Sequence, residues 1–266
     1  HPAEDRDAVN DTVTLPLTVF IVDDEPLARS RLKDLLDDCR AQIELDLVGE
    51  AGNGQEALDK LSERPAEVVL MDIRMPQMDG LELAQHLNKL EKPPVIIFTT
   101  AYDAYAIQAF ERRAIDYLLK PIRLGRLFEA LSRARDAVPI RTEVLRELIP
   151  EARSHLSVHE RGRLILVPIE EVIYLRAEMK YVTVRTEERE YLIEESLTAL
   201  EKEYAARFVR IHRNCLVAKA AIAGFEKGGE EGESGWLMKL HGLEERLPIS
   251  RRQWGAVKAA AGTQGG

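Results

Sequence analysis

The segment 67–80 has the sequence EVVLMDIRMPQMDG, in which an apolar run stops at the carboxylate of Asp72. A short apolar run bounded by polar turn residues predicts a buried strand. The run Leu17–Val22 stops in the same way, at Asp23 and Asp24. If the two runs are neighbouring parallel strands, their carboxyl ends meet at one edge of a sheet, and we expect the three carboxylates to converge there.

Outward from this segment, apolar runs alternate with segments of helical spacing. Five strands interleaved with five helices predict a parallel sheet covered on both faces, the doubly wound α/β class. Ligands of such sheets bind outside the carboxyl ends of the strands. The predicted strands are Leu17–Val22, Glu44–Glu50, Glu67–Met71, Val95–Thr99 and Tyr117–Leu119, and the predicted helices are Pro26–Leu36, Gly54–Leu61, Leu81–Leu90, Tyr105–Glu111 and Leu124–Ala134.

Two further strands end in groups that complement clustered carboxylates, because one leads to the hydroxyl of Thr100 and the other to the cation of Lys120. Neighbouring carboxylates raise one another's pKa unless a cation neutralises them, and Mg²⁺ is the expected ion. An aspartate nucleophile, a metal, a hydroxyl and a lysine are what phosphoryl transfer to a carboxylate requires. Each residue alone is more often a cap or a turn former, but their order at successive strand ends favours a site.

These motifs closely resemble the receiver domain of two-component response regulators, over residues 17–136. The segments that carry the resemblance are Val22–Glu25, Met71–Gly80, Thr100–Ala101 and Tyr117–Pro121. The resemblance implies a phosphoprotein rather than an enzyme. Such a protein takes its phosphoryl group from a sensor histidine kinase and catalyses only its own phosphorylation and dephosphorylation. The resemblance implies that Asp72 is the phosphoacceptor and that Mg²⁺ is held by Asp23, Asp24, Asp72 and the backbone carbonyl of Arg74. It also implies that Lys120, through a cis bond to Pro121, pairs with the phosphoryl group. Thr100 and Tyr117 would be the two residues that change conformation on phosphorylation.

After residue 154 the hydrophobic period changes from helical to alternating, which predicts a small, mainly antiparallel β module. The charge also changes: residues 1–140 carry 17 Lys and Arg against 26 Asp and Glu, whereas residues 141–266 carry 20 against 20. This asymmetry indicates two modules with different functions, the second of which tolerates a polyanion. Its predicted strands are Leu164–Val167, Val172–Leu175, Tyr181–Thr186, Tyr191–Ile193, Phe208–Val217 and Trp236–Leu240, with one helix at Ser196–Tyr204.

Basic residues of this module cluster near its strand Phe208–Val217, where Arg210, His212 and Asn214 are expected to share one face. The order of three segments, Val172–Val182, Phe208–Val217 and Leu247–Arg252, resembles the LytTR DNA-binding domain over residues 155–258. LytTR domains place loops in successive major grooves. The resemblance implies that three segments approach DNA, namely the loop Glu178–Tyr181, the pair Arg213 and Asn214, and Ser250–Arg252. The implied contacts are Lys180, Tyr181, Arg213, Asn214, Arg251 and Arg252, of which Arg213 or Arg251 suits guanine, Asn214 suits adenine, and Lys180 and Arg252 suit phosphates.

Together the two resemblances predict a transcription regulator that binds double-stranded promoter DNA. Because the second module has no net positive charge, we expect paired protomers on repeated half-sites, as a homodimer formed on phosphorylation or on DNA. The predicted division is a disordered tail at 1–16, a receiver domain at 17–136, a linker at 137–154, the DNA-binding domain at 155–258 and a flexible tail at 259–266.

Two other functions remain open on the sequence alone. The β module could bind a partner protein under phosphorylation control, although its arginine clusters favour DNA. The first module could be a Mg²⁺-dependent phosphatase built on Asp72, but Ile73, Arg74 and Met75 provide no second carboxylate for acid–base catalysis.

Composition narrows the class of protein. Hydrophobic residues make up 45% of the chain and charged residues 31%, and the formal net charge is −9. These values are typical of a soluble globular protein, and no apolar run approaches the roughly 18 residues that a membrane span needs. With only Cys39 and Cys215 present, a disulfide framework is not expected, which favours a cytoplasmic location.

Overall fold

The computed structural model describes residues 14–101, 104–113, 115–149, 151–228 and 234–262, with only the backbone of residues 105 and 106. Most of the predicted N-terminal tail and the last four residues of the predicted C-terminal tail lie outside these ranges. Within them, no helix combines the length and the apolar character needed to cross a bilayer.

The first module is a five-stranded parallel sheet in the order β2-β1-β3-β4-β5. Alternate residues of its first strand enter two different apolar clusters: Val19 and Ile21 join one, and Phe20 and Val22 join the other. Burial on both faces explains the continuous apolar runs and confirms the doubly wound class. The strands are β1 (Leu17–Val22), β2 (Leu45–Ala51), β3 (Val68–Asp72), β4 (Val95–Thr100) and β5 (Tyr117–Leu119), and the helices are α1 (Pro26–Cys39), α2 (Gly54–Glu63), α3 (Gly80–Leu87), α4 (Ala104–Arg112) and α5 (Leu124–Ala134).

The second module consists of antiparallel strands, which confirms its predicted class. It has a five-stranded sheet in the order β10-β9-β8-β12-β11, a three-stranded sheet β13-β14-β15 and a hairpin β6-β7. The strands are β6 (His155–Glu160), β7 (Arg163–Pro168), β8 (Tyr174–Glu178), β9 (Tyr181–Arg185), β10 (Glu190–Ile193), β11 (Phe208–His212), β12 (Cys215–Ala218), β13 (Ile222–Lys227), β14 (Trp236–Leu240) and β15 (Leu243–Pro248), and the helices are α7 (Leu197–Glu203) and α8 (Trp254–Gly262).

The prediction of a single strand over Phe208–Val217 was wrong. The segment is a hairpin in which Val209 pairs with Val217, and its turn is formed by Arg213 and Asn214. Apolar residues lie on both sides of the turn and no glycine or proline marks it, so the sequence was interpreted as one continuous strand. Asn214 therefore does not share a strand face with Arg210.

Three strands and one helix of this module were not predicted. Strands β6, β13 and β15 contain only two large apolar residues each, so their apolar pattern was too short to predict a strand. Helix α8 is rich in alanine and glycine and buries only Val257, so it lacks an apolar stripe. It continues past residue 258, where the sequence had placed the end of the DNA-binding domain; the domain boundaries remain predictions.

The two modules pack against each other through the β6-β7 hairpin and a connecting helix, α6 (Thr142–Leu148). Leu164 of β7 and Leu145 of α6 are buried in the apolar cluster of the first module that also contains Leu58. Gln55 of α2 adds polar contacts to the same hairpin, because its Oε1 accepts from the amide of Leu166 at 3.0 Å. The contact between modules is therefore an extension of the first module's core.

A buried guanidinium supports the start of the second module. Arg153 is 5% exposed and donates to Glu195 Oε1 at 2.7 Å and to Glu203 Oε1 at 2.8 Å. Burial alone raises the pKa of Glu195, but the hydrogen bonds and charge of Arg153 outweigh it and hold that pKa at about 2. Lys89 of the first module lies 3.3 Å from Glu195 and extends this network across the contact.

Helix α3 contributes two further polar contacts between the modules. Glu82 accepts a hydrogen bond from Ser154 Oγ at 2.8 Å, and His86 Nδ1 lies 2.9 Å from Ser157 Oγ. All of these atoms lie at a surface from which water is largely excluded, since Glu82, His86 and Ser157 are buried. Such bonds fix the relative position of the helix and the hairpin.

Replacing Arg153 with methionine should destabilise the second module by about 3 kcal/mol, because two largely buried carboxylates lose their partner. The measurement is urea unfolding followed by tryptophan fluorescence, since Trp236 and Trp254 both lie in this module. The matched control is Arg246→Met, which removes an exposed ion pair with Glu226 and should cost less than about 1 kcal/mol. Equal losses in the two variants would contradict the account of the network.

Candidate functional site

The carboxyl edge of the parallel sheet brings three carboxylates together. Strands β1 and β3 are neighbours with Val22 paired to Met71, so the residues that follow these two are adjacent. One carboxylate oxygen from each of Asp23, Asp24 and Asp72 lies within 4.8 Å of the others. Asp23 is fully buried and Asp72 is 7% exposed, so water screens their repulsion poorly.

Lys120 provides a positive charge inside this cluster. Its Nζ lies 3.1 Å from Asp23 Oδ2 and 3.3 Å from Asp72 Oδ1, and the Lys120–Pro121 peptide bond is cis, as the resemblance implied. Partial burial alone lowers the pKa of Lys120, but the charges of Asp72 and Asp23 outweigh burial and raise it. The ammonium group therefore stays charged at neutral pH and offsets one of the three negative charges.

The charge of the cluster is not fully compensated by the lysine. Burial raises the pKa of Asp72; Lys120 opposes this increase, while the charges of Asp23 and Asp24 add to it, and the net shift is upward. When burial and neighbouring carboxylates raise the pKa of an aspartate, a further cation nearby stabilises its charged form. The donor set consists of carboxylate oxygens, which hard divalent ions such as Mg²⁺ prefer.

The loop between β3 and α3 packs directly on the backbone of Asp72. The amide of Gly80 donates to the carbonyl of Ile73 at 2.7 Å, and a Cβ on Gly80 would lie 2.2 Å from the carbonyl oxygen of Asp72. Only glycine fits this close approach. Arg74, whose carbonyl was predicted as a ligand, lies in this loop two residues after Asp72. The role of Gly80 was missed, although an Asp-Gly pair at the start of a helix was the available signal.

Thr100 and Tyr117 lie on the neighbouring strands β4 and β5, with their hydroxyl groups bonded to different partners. Thr100 Oγ1 donates to the carbonyl of Ala101 at 2.8 Å, and the Tyr117 hydroxyl donates to Glu111 at 3.1 Å. The Tyr117 ring also lies 6.0 Å from Phe110, which stacks on Phe98 at 5.6 Å. The ring contacts among Phe98, Phe110 and Tyr117 were not predicted, because Phe98 and Phe110 cannot be told from ordinary core residues in the sequence.

In the second module, two turns meet at one end of the five-stranded sheet. Met179 and Lys180 form the β8-β9 turn, and Arg213 and Asn214 form the β11-β12 turn. The turns are adjacent because β8 and β12 are neighbours, and the amide of Ala177 donates to the carbonyl of Asn214 at 2.8 Å.

The third predicted DNA-contacting segment joins the same end. Ser250, which follows β15, donates from its amide to the carbonyl of Ile211 at 2.9 Å, next to the β11-β12 turn. The three segments predicted from the sequence therefore form one continuous surface, which we call the turn surface and define as residues 178–181, 213–214 and 250–252.

The turn surface carries four exposed cations, Lys180, Arg213, Arg251 and Arg252, and two half-buried residues, Tyr181 and Asn214. The Lys180 ammonium lies 5.0 Å from the centre of the Tyr181 ring. Arg210, which belonged to the same basic cluster in the sequence, instead pairs with Glu201 at 2.9 Å and donates to the carbonyl of Arg213 at 2.6 Å. These two interactions occupy the guanidinium of Arg210 and stabilise the β11-β12 turn.

Comparison with known proteins identifies both modules. Residues 19–132 match the family model of the response regulator receiver domain, and residues 162–262 match that of the LytTr DNA-binding domain. The positive alginate biosynthesis regulatory protein of Pseudomonas aeruginosa is 42% identical over 248 residues, which cover 91% of this chain and 98% of that protein.

Two other relatives are also similar to this chain over most of its length. The sensory transduction protein LytT of Bacillus anthracis is 36% identical over 203 residues, which cover 74% of this chain and 81% of that protein. The transcriptional regulatory protein BtsR of Salmonella typhi is 36% identical over 250 residues, which cover 92% of this chain and 99% of that protein. Both family resemblances found in the sequence are thereby confirmed, whereas the individual site residues remain predictions.

Gly80→Ala should destabilise the first module by about 1 to 3 kcal/mol, since the new methyl group meets the backbone of Asp72 and the loop must shift. Gly125→Ala is the matched control. Gly125 also lies in the first turn of a helix, but nothing is within 4 Å of its Cβ position, so this change should be neutral or stabilising by up to about 1 kcal/mol. Thermal unfolding followed by circular dichroism measures both. Tolerance of alanine at residue 80 would contradict the packing described for this loop.

Proposed function

This chain belongs to the two-component response regulators that join a receiver domain to a LytTR DNA-binding domain, and we propose that a phosphoryl group on Asp72 controls its binding to specific DNA. The observation that carries the proposal is the position of Asp72, buried at a sheet edge between two other carboxylates and 3.3 Å from a lysine ammonium. A sensor histidine kinase is the donor. The protein turns over no other substrate and only catalyses its own phosphorylation and dephosphorylation.

Asp72 acts as the nucleophile of the transfer. A carboxylate oxygen attacks phosphorus, the bond from phosphorus to the kinase histidine breaks, and an acyl phosphate forms on Asp72. The charge of Lys120 offsets the negative charge on the phosphoryl oxygens, and its raised pKa keeps it protonated throughout. Burial of the carboxylate excludes water from one side of the reacting group.

Mg²⁺ fits the donor set of this site. Asp23, Asp24 and Asp72 would hold the ion together with the backbone carbonyl of Arg74, since all of these donors are oxygen atoms. When bound, Mg²⁺ supplies charge neutralisation to the phosphoryl oxygens.

Thr100 and Tyr117 transmit the presence of the phosphoryl group. The new group adds charge and three acceptor oxygens, so it attracts the Thr100 hydroxyl away from the carbonyl of Ala101. Tyr117 then gives up its bond to Glu111 and turns inward, which changes the surface of α4 and β5.

The turn surface binds the major groove of double-stranded promoter DNA. Arg213, Arg251 and Asn214 suit base edges, and Lys180 and Arg252 suit phosphates, with Tyr181 packing beside Lys180. The four cations are exposed, whereas the first module packs on the β6-β7 hairpin, which is not part of the turn surface. Phosphorylation therefore does not need to uncover them. Instead it promotes a homodimer whose paired output domains bind repeated half-sites, because the second binding event becomes intramolecular.

Asp72→Asn should abolish incorporation of phosphate from labelled acetyl phosphate in the presence of Mg²⁺, because the amide is no nucleophile. Asp59→Asn serves as the control, since it changes a half-buried aspartate of α2 that pairs with Arg163 at 2.9 Å. It should be labelled like the unchanged protein. Labelling of the Asp72 variant would refute the assignment of the phosphoacceptor.

Arg213→Ala and Arg251→Ala should each weaken binding to a duplex recovered by selection from random DNA by about 1 to 3 kcal/mol if each side chain contacts a base. Lys180→Ala should weaken binding to all duplexes alike and reduce the slope of affinity against salt. Arg163→Ala is the control, since Arg163 is an exposed arginine of β7 that pairs with Asp59 of the first module and lies outside the turn surface. If no sequence is enriched by selection, the second module binds a protein and the DNA assignment is wrong.

A further inference from the structure

Met179 stands at the tip of the β8-β9 hairpin with its side chain entirely in solvent. Its exposed fraction is 104%, and no other large apolar residue in the described part of the chain exceeds 80%. The hairpin loop has two residues, since Glu178 pairs with Tyr181 across it. Met179 is therefore the first residue of a two-residue loop.

The backbone conformation of Met179 is as unusual as its exposure. Its φ is +55°, and only two other non-glycine residues among those described, Gln77 and Arg161, have a positive φ. Two-residue hairpin loops need a positive φ at their first position, which glycine, asparagine or aspartate adopts with least strain. An exposed apolar side chain is ordinary by itself. An unbranched apolar side chain that is fully exposed at a strained position instead indicates a contact made in another state.

The surroundings of Met179 identify that contact. The hairpin lies beside Asn214 through the Ala177–Asn214 hydrogen bond of 2.8 Å, so Met179 belongs to the turn surface. Its neighbour Lys180 is exposed, and Glu178 is neutralised by Arg176 at 2.9 Å. The methionine is thus the only apolar aliphatic group on this surface that projects fully into solvent, among cations suited to a polyanion.

We propose that Met179 determines sequence specificity by van der Waals contact with the C5 methyl group of a thymine in the major groove. This inference rests on the proposed function of the turn surface. The thymine methyl is the one apolar group that a base edge presents in the major groove. A thioether side chain is flexible and polarisable, so it can fit against a methyl group, and it offers no strong hydrogen bond to any other base edge.

The test removes the methyl group from the DNA and the side chain from the protein. In a duplex recovered by selection from random DNA, each thymine is replaced in turn by deoxyuridine, which lacks only the C5 methyl group. For the unchanged protein we expect one position per half-site at which the replacement lowers affinity by roughly 3- to 10-fold, the size of a lost methyl contact.

Met179→Asn is the matching protein variant, because asparagine suits the positive φ and should leave the hairpin at least as stable. It should bind the thymine duplex with the same 3- to 10-fold loss and show no further loss with deoxyuridine at that position. Leu192→Asn is the control, since Leu192 is an exposed apolar residue (54%) on the separate strand β10. It should retain the full effect of deoxyuridine. Thermal unfolding verifies that both variants are folded.

Two results would overturn the inference, and they can be told apart. If Met179→Asn responds to deoxyuridine as the unchanged protein does, Met179 does not contact a thymine methyl, and the proposed function of the chain stands. If the unchanged protein has no sequence preference at all, both the inference and the DNA-binding function fail.

Discussion

The repulsion among three carboxylates at one sheet edge is the constraint on which the first module depends. Parallel pairing of β1 with β3 forces Asp23 next to Asp72, and burial prevents water from screening their charges. Lys120, directly after β5, reduces this repulsion because its ammonium lies 3.1 and 3.3 Å from the two carboxylates. One lysine cannot offset three carboxylates, so the site keeps the excess negative charge and the oxygen donors that suit a divalent cation.

Helix α3 is one of the elements that lie between this site and the second module. Helix α3 begins at Gly80, whose amide bonds to Ile73 and which packs on the Asp72 carbonyl. The same helix carries Glu82 and His86, which contact Ser154 and Ser157 of the second module. The loop after Asp72 and part of the contact between the modules therefore share one helix.

The sequence was sufficient for the site of the first module because the central strands β1, β3 and β4 are largely buried, and because β1, β3 and β5 end at or just before charged residues at one edge. It was less sufficient for the second, where Arg213 and Asn214 turn the chain without glycine or proline. The network of Arg153 was also beyond prediction, since an arginine in a polar linker gives no sign that Glu195 and Glu203 will surround it. Met179 lay inside a segment expected to approach DNA, but only the structure revealed its positive φ and its full exposure.

We have proposed that a phosphoryl group on Asp72 controls DNA binding by the turn surface. The most direct measurement is the affinity of the full chain for a duplex with two selected half-sites, with and without beryllofluoride and Mg²⁺, over a range of protein concentrations. We expect tighter and more cooperative binding with the phosphoryl mimic, and little change on a duplex with one half-site. Equal affinity and equal cooperativity in the two conditions would show that Asp72 does not control DNA binding.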